Sequence, residues 1–303
     1  MNKKTVAIFL ILMVLCAGAI LLGIRLVQGG VFEKKTTVES TILSEVTTTA
    51  SSETSIEETV SFATEADAIN YIMNYASTNS IDFTLYPQPI YRLLVKNPSA
   101  LDFVLNYPMN VTSASSPVEG DENSENDEEL PTPTPIVSLD GTVSTARITP
   151  LYTWDSRWGY TEYGNGTFCF TGSAPTCVSM VAMYLLRNPA FSPSWVAAYS
   201  MGNGYCNSEC DGSSEAALVG DGGYGLGINV TQIPASDPER IKRNLDVPNP
   251  IICDVGDHYI ILISYEEDDF TVIDPTSEYD TNRTWSWSEL SSRLEGLWVY
   301  RVL

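Results

Sequence analysis

Thr171-Gly-Ser173-Ala-Pro175-Thr-Cys177-Val-Ser-Met180 is the stretch on which the reading of this chain turns. It reads as a loop entering a helix. Pro175 suits a first helical turn, and Val178, Val181, Ala182, Leu185 and Leu186 recur with helical spacing, predicting a helix over 175–187. Strand-like runs follow at 251–253, 258–265, 270–273 and 297–302, with a charged turn at 266–269. A helix followed by clustered strands predicts an α+β domain with an antiparallel sheet. Trp285-x-Trp287 alternates like strand residues facing one side.

A hydroxyl or thiol at a helix start gains from the local positive potential. To act as a nucleophile it needs a base and a group that orients the base. The chain has one histidine, His258, opening a predicted strand, and Asp274 ends the next strand. A hairpin would bring the two regions side by side; contact depends on register and bulges. A satisfied structural histidine is the competing reading. Cys177 reads as a buried structural thiol, and Cys169 has no visible base. Gly220 to Gly227 lacks the Gly-Lys-Ser/Thr ending of a phosphate loop and reads as a loop bordering a cleft.

The stretch at 171–180 resembles the Gly-Cys-Gly-Pro-Thr-Cys-Leu-Ser-Met signature of the bacteriocin-processing, double-glycine-peptidase-like group of papain-fold cysteine peptidases (family C thirty-nine). Tyr152-x-Trp154-Asp155-x-Arg157-Trp158-Gly159-Tyr160 is similar to that family's opening. Gly204-Tyr205 and Gly212-Ser213-Ser214 resemble its middle loop. Pro250 to Cys253, His258 to Leu262 and Asp274-Pro275 resemble its closing strands. Asn97-Pro98 and Asp102 to Pro108 resemble a segment often found upstream.

The resemblance implies a papain-like fold, with a nucleophile helix and an antiparallel sheet carrying His and Asp. It places His258 as base and Asp274 as orienting acid. Ser173 stands where the family has its nucleophilic cysteine, and Ala174 replaces a glycine. Thr153 stands where a glutamine helps form the oxyanion hole. Serine does not ionise as a thiol does, and losing one oxyanion donor costs on the order of 3 kcal/mol. The expected function is therefore a catalytically degenerate peptidase that holds a peptide or protein ligand in its cleft. Two alternatives are an active hydrolase using Ser173, His258 and Asp274, and an engineered Cys-to-Ser form of an active cysteine peptidase. Neither a metal nor an organic cofactor is expected.

The rest of the chain sets the context. It carries 38 acidic against 16 basic side chains, net −22, which argues against a nucleic-acid partner. Val6 to Ile24 is uncharged and, as a helix, about 28 Å long, enough for a membrane anchor. Lys3 and Lys4 precede it, which predicts a single-pass protein of the cell membrane with its C-terminal domain extracellular. A cleaved signal peptide is the competing reading. The predicted organisation is a cytoplasmic tip and anchor (1–28), a Ser/Thr/Glu-rich disordered stalk (29–60) and a small helical segment (61–108). An acidic, proline-rich linker (109–138) and the peptidase-like domain (139–303) follow. Pro87, Pro89, Pro98 and Pro108 are read as helix boundaries. Of the six cysteines, Cys16 lies in the apolar run, and Cys206 and Cys210 are spaced for a small disulfide.

Overall fold

The computed structural model describes residues 60–114, 139 and 144–303. The apolar run 6–24, the stalk at 29–59 and the acidic and proline-rich runs at 119–135 lie outside these residues. No helix among the described residues is long and apolar enough to cross a membrane.

Three helices come first: α1 (Glu65–Asn79), α2 (Pro89–Lys96) and α3 (Leu101–Ala114). Thr64 caps α1 in a reciprocal box with Asp67. Pro108, read from the sequence as a boundary, lies inside α3, which runs six residues past it to Ala114. Proline there lacks one backbone N–H, and packing holds the helix regardless. Phe103 stacks on Tyr160 with ring centroids 4.2 Å apart, and the Tyr160 hydroxyl donates to the Phe103 carbonyl at 3.0 Å. These helices share one apolar cluster with Trp154, Tyr160, Cys169 and Phe170.

A small hairpin, β1 (Glu162–Tyr163) and β2 (Gly166–Thr167), precedes helix α4 (Ser173–Leu186) and helix α5 (Pro193–Gly202). The first eleven residues of α4, Ser173 to Met183, are buried on every side, so it is a central helix rather than an amphipathic surface one. It begins two residues before Pro175.

The remainder is β3 (Ile228–Ile233), α6 (Pro238–Leu245), β4 (Ile251–Asp254), β5 (Tyr259–Glu266), β6 (Asp269–Ile273), β7 (Thr284–Ser286) and β8 (Gly296–Val302). Its six strands form one sheet in the order β3-β8-β4-β5-β6-β7, antiparallel throughout. The architecture is α+β. Alternate strand residues face two cores. Ile252, Tyr259, Ile261 and Ile273 pack toward α4 and α5. Ile251, Ile260, Leu262 and Val272 pack toward α6 and the helical turn Trp287–Ser291. Trp285 lies in β7, but Trp287 opens that turn, because the Ser286 side chain caps it by accepting from the Glu289 amide.

Ile261 is fully buried between the sheet and α4. Ile261→Ala is expected to lower unfolding stability by roughly 2–5 kcal/mol in urea titrations. Met73→Ala, at an exposed position of α1, should change it by less than about 0.5 kcal/mol.

Candidate active site

His258 is set by a two-residue hairpin turn. The Val255 amide donates to the His258 carbonyl at 3.0 Å, leaving Gly256 and Asp257 as the turn. Gly256 takes φ +94°, a conformation that suits glycine at the first position of such a turn. His258 thus continues the regular β4–β5 ladder, on the same side as Val255 and Ile260.

Asp274 reaches the same side through a β-bulge. Near their turn, β5 and β6 pair Glu266 with Asp269 and Ser264 with Thr271. Beyond Ile263 the register shifts by one, pairing Leu262 with Val272 and Ile261 with Ile273. Continued one step, this puts Asp274 opposite Ile260, two residues from His258 and on its face. Without the extra residue, Asp274 would face Ile261 and point the other way. The observed contact is His258 Nε2 to Asp274 Oδ2, 3.0 Å.

Asp274 is fully buried and well satisfied. Its Oδ1 accepts from the Thr276 amide at 2.8 Å and the Thr276 hydroxyl at 2.7 Å. Its backbone N–H donates to Thr281 Oγ1 at 2.9 Å. The loop after it is held from outside the sheet. Asn97, also fully buried, donates to the Thr276 carbonyl and accepts from the Glu278 amide. The Thr153 amide donates to the Pro275 carbonyl at 2.9 Å.

The second ring nitrogen of His258 is occupied as well. Nδ1 lies 2.8 Å from Oδ1 of Asp257, whose side chain is 78% exposed and also sits 3.5 Å from Arg293. Burial opposes the charge on the ring, but hydrogen bonds and attraction from both carboxylates outweigh it and push His258 up to about 9. The hydrogen bond from the ring holds Asp257 down at about 2. Burial would raise Asp274, yet the ring and Thr276 keep it below its ordinary value. At neutral pH the arrangement is an imidazolium clamped between two carboxylates.

Ser173 opens α4, and its Oγ accepts from the Tyr259 amide at 3.2 Å. One turn later Cys177 Sγ contacts the Tyr259 carbonyl at 3.4 Å. The start of α4 therefore docks on the edge of β5, past the point where β6 ends. The structure brings Ser173, His258 and Asp274 to one region; its hydrogen bonds include none between Ser173 and His258. Thr153 is also close, but its single hydroxyl proton is donated to the Cys169 carbonyl at 2.9 Å. That leaves it no donor for an oxyanion. Cys169, Cys177 and Cys253 are free and buried, and burial pushes their thiols well above the ordinary value. Cys206 and Cys210 form a disulfide.

Sequence reasoning did not single out Asp257 or Glu215, and named Asn97 only within the upstream segment, without this role. Glu215 is fully buried, and its amide donates to the Tyr259 hydroxyl at 2.9 Å. Its Oε2 bonds the Tyr163 hydroxyl, while Oε1 has no partner among the described residues. Burial pushes this carboxyl up to about 8, keeping it neutral at pH 7. Gly212, at φ +84°, lets this loop press on the strand-helix junction: a Cβ there would come within 2.3 Å of the Thr171 carbonyl oxygen. Only the Gly256-Asp257 turn pair gave a local signal.

Ser173 is 2% exposed and His258 7%. Four pockets of about 580, 660, 670 and 380 Å3 open elsewhere, and neither residue lines any of them. No protein-family model, curated protein or solved structure matches the chain.

The titrations have a definite sign. The folded chain holds a proton on His258 up to about pH 9 and on Glu215 up to about pH 8, both above their ordinary values of 6.5 and 4.5. Stability should therefore fall as pH rises between these values, most steeply where the two windows overlap, from 6.5 to 8. Urea titrations across that range check this. Glu215→Gln should flatten the part below pH 8, and in NMR titrations Asp257→Asn should bring the His258 midpoint down from about 9.

Proposed function

We propose that residues 139–303 are a papain-like domain, similar to family C thirty-nine peptidases, that binds a peptide or protein partner and does not cleave it. The observation that carries this reading is the double occupation of His258 by Asp257 and Asp274. A general base needs a free ring nitrogen facing its nucleophile, and here Nδ1 is bonded to Asp257. With both carboxylates favouring its charged form, the ring is a poor acceptor for the Ser173 proton. Thr153 adds no oxyanion donor, and the near-complete burial of Ser173 works against substrate access.

We further propose that the domain lies outside the cell, tethered by the apolar run 6–24. The Cys206–Cys210 disulfide supports an oxidising compartment.

Peptide hydrolysis by the full chain tests the catalytic claim. Wild type is expected to be silent. Ser173→Cys combined with Asp257→Ala frees the ring and supplies a thiol, and should create measurable hydrolysis; adding Thr153→Gln should raise it, by up to about 10²-fold for a restored oxyanion donor. Wild-type hydrolysis that Ser173→Ala abolishes would instead establish a serine hydrolase and sink the binding reading. Near-ultraviolet circular dichroism of each variant separates a dead site from a misfolded one.

A further inference from the structure

The chain is strongly acidic, yet two of its pockets have arginine as their only charged lining residues. Eleven Lys and Arg lie among the described residues. Six of them (Arg92, Lys96, Arg157, Lys242, Arg283 and Arg293) are ion-paired with carboxylates. Five have no carboxylate of the described residues within ion-pair distance: Arg147, Arg187, Arg240, Arg243 and Arg301. Four of those five line two adjoining pockets. Arg147 lines one of about 580 Å3, and Arg187, Arg243 and Arg301 line one of about 660 Å3. The pockets share Tyr184 and Pro248 as a common wall, and no Asp or Glu lines either. The fifth, Arg240, lies on α6 beside Arg243.

Local structure explains how they gather. Arg187 caps the end of α4 with a left-handed backbone, φ +54°. Its guanidinium lies 4.9 Å from the Tyr184 ring centre and donates to the Thr145 carbonyl, which ties the 144–150 segment to the helix end. Arg301, on β8, donates to Asn244 of α6 at 2.6 Å. Arg147 and Arg243 are exposed and make no side-chain hydrogen bond among the described residues. In a chain of net charge −22, a random scatter of arginines would find acidic neighbours. Four guanidinium groups without any is a concentration of unneutralised positive charge.

We propose that this double pocket is a binding site for a compact multivalent oxyanion, carried on phosphate or carboxylate groups. Guanidinium forks match the paired oxygens of both. Pockets of this size suit a small molecule. The surrounding acidity repels an extended polyanion along most of its length, and a compact anion escapes that penalty by sitting wholly within the basic zone. Neither Ser173 nor His258 lines these pockets, although Thr281, which bonds the Asp274 amide, lines the first, and the inference stands whether or not the Ser173–His258 region is catalytic.

Isothermal titration calorimetry of the full chain at fixed ionic strength tests it, with pyrophosphate and citrate as probes. One-to-one binding of either supports the site; tighter pyrophosphate binding assigns phosphate, and tighter citrate binding assigns carboxylate. Arg147→Gln with Arg243→Gln should weaken the bound probe by about tenfold or more, the equivalent of losing one charge-assisted hydrogen bond. Both positions are exposed, so the melting temperature should be unchanged. Arg92→Gln, whose ion pair with Glu65 lies elsewhere, should leave binding as it was. Absence of binding by both probes, or binding that survives the double substitution, overturns the proposal.

Discussion

One additional residue in β5 decides what the rest of this domain can do. Side chains on a strand alternate, so a register shift of one exchanges the two faces. The bulge at Ile263 makes that exchange between the turn end and the far end of the β5–β6 hairpin. Phe270 and Val272 stay in one core on both sides of the shift. Asp274 comes to the face that His258 already occupies through the regular β4–β5 ladder. The carboxylate–imidazole pair is a product of backbone register, set at Ile263, further along β5 from the histidine.

What the pair can do is then set by the β4–β5 turn. A two-residue turn leaves no slack between Asp257 and His258, and it delivers a carboxylate to the ring nitrogen that Asp274 does not hold. The consequence is electrostatic. One acidic partner orients an imidazole and leaves a nitrogen to work as a base. Two acidic partners stabilise the charged ring and leave it none. Meanwhile Ser173 is engaged by the Tyr259 amide, as a side chain closing the open edge of β5. Each member of the expected triad thus has a structural partner that accounts for its position.

How much of this was legible in the sequence follows from which forces set each element. The strands β4, β5, β6 and β8 were legible because they are apolar runs bounded by charged or turn residues. The central helix was legible from its apolar spacing, although its start at Ser173 precedes the proline that marked it. β3 was not, because it is an edge strand buried only at Ile228 and Ile233, with polar residues between. α6 carries just Ile241 and Leu245 into the core among charged neighbours, too sparse a stripe to read. Pro108 was overridden by the packing of Phe103, Val104 and Tyr107. At the site, residue types were legible and geometry was not. The bulge, and the reach of Asp257, are backbone facts with no compositional trace.

The buried carboxylate of Asp274 explains why His258 can be indispensable without being a base. With no exposed surface, an ionised Asp274 needs compensation in place, and its hydrogen bonds from Thr276 supply only part of it. Removing the partner of a buried charge typically costs about 3–5 kcal/mol. Asp274 in turn anchors the loop through Pro275, Thr276 and Thr281, which the amide of Thr153 and the side chain of Asn97 clasp from two other parts of the chain. The imidazolium is therefore the counter-ion at the junction of the sheet, the opening segment and the N-terminal helices. A His–Asp pair in a site that resembles an enzyme's is weak evidence of catalysis when folding alone demands it. The discriminating positions are Ser173 and Thr153, both of which differ from the resembled signature, and both of which carry structural hydrogen bonds of their own.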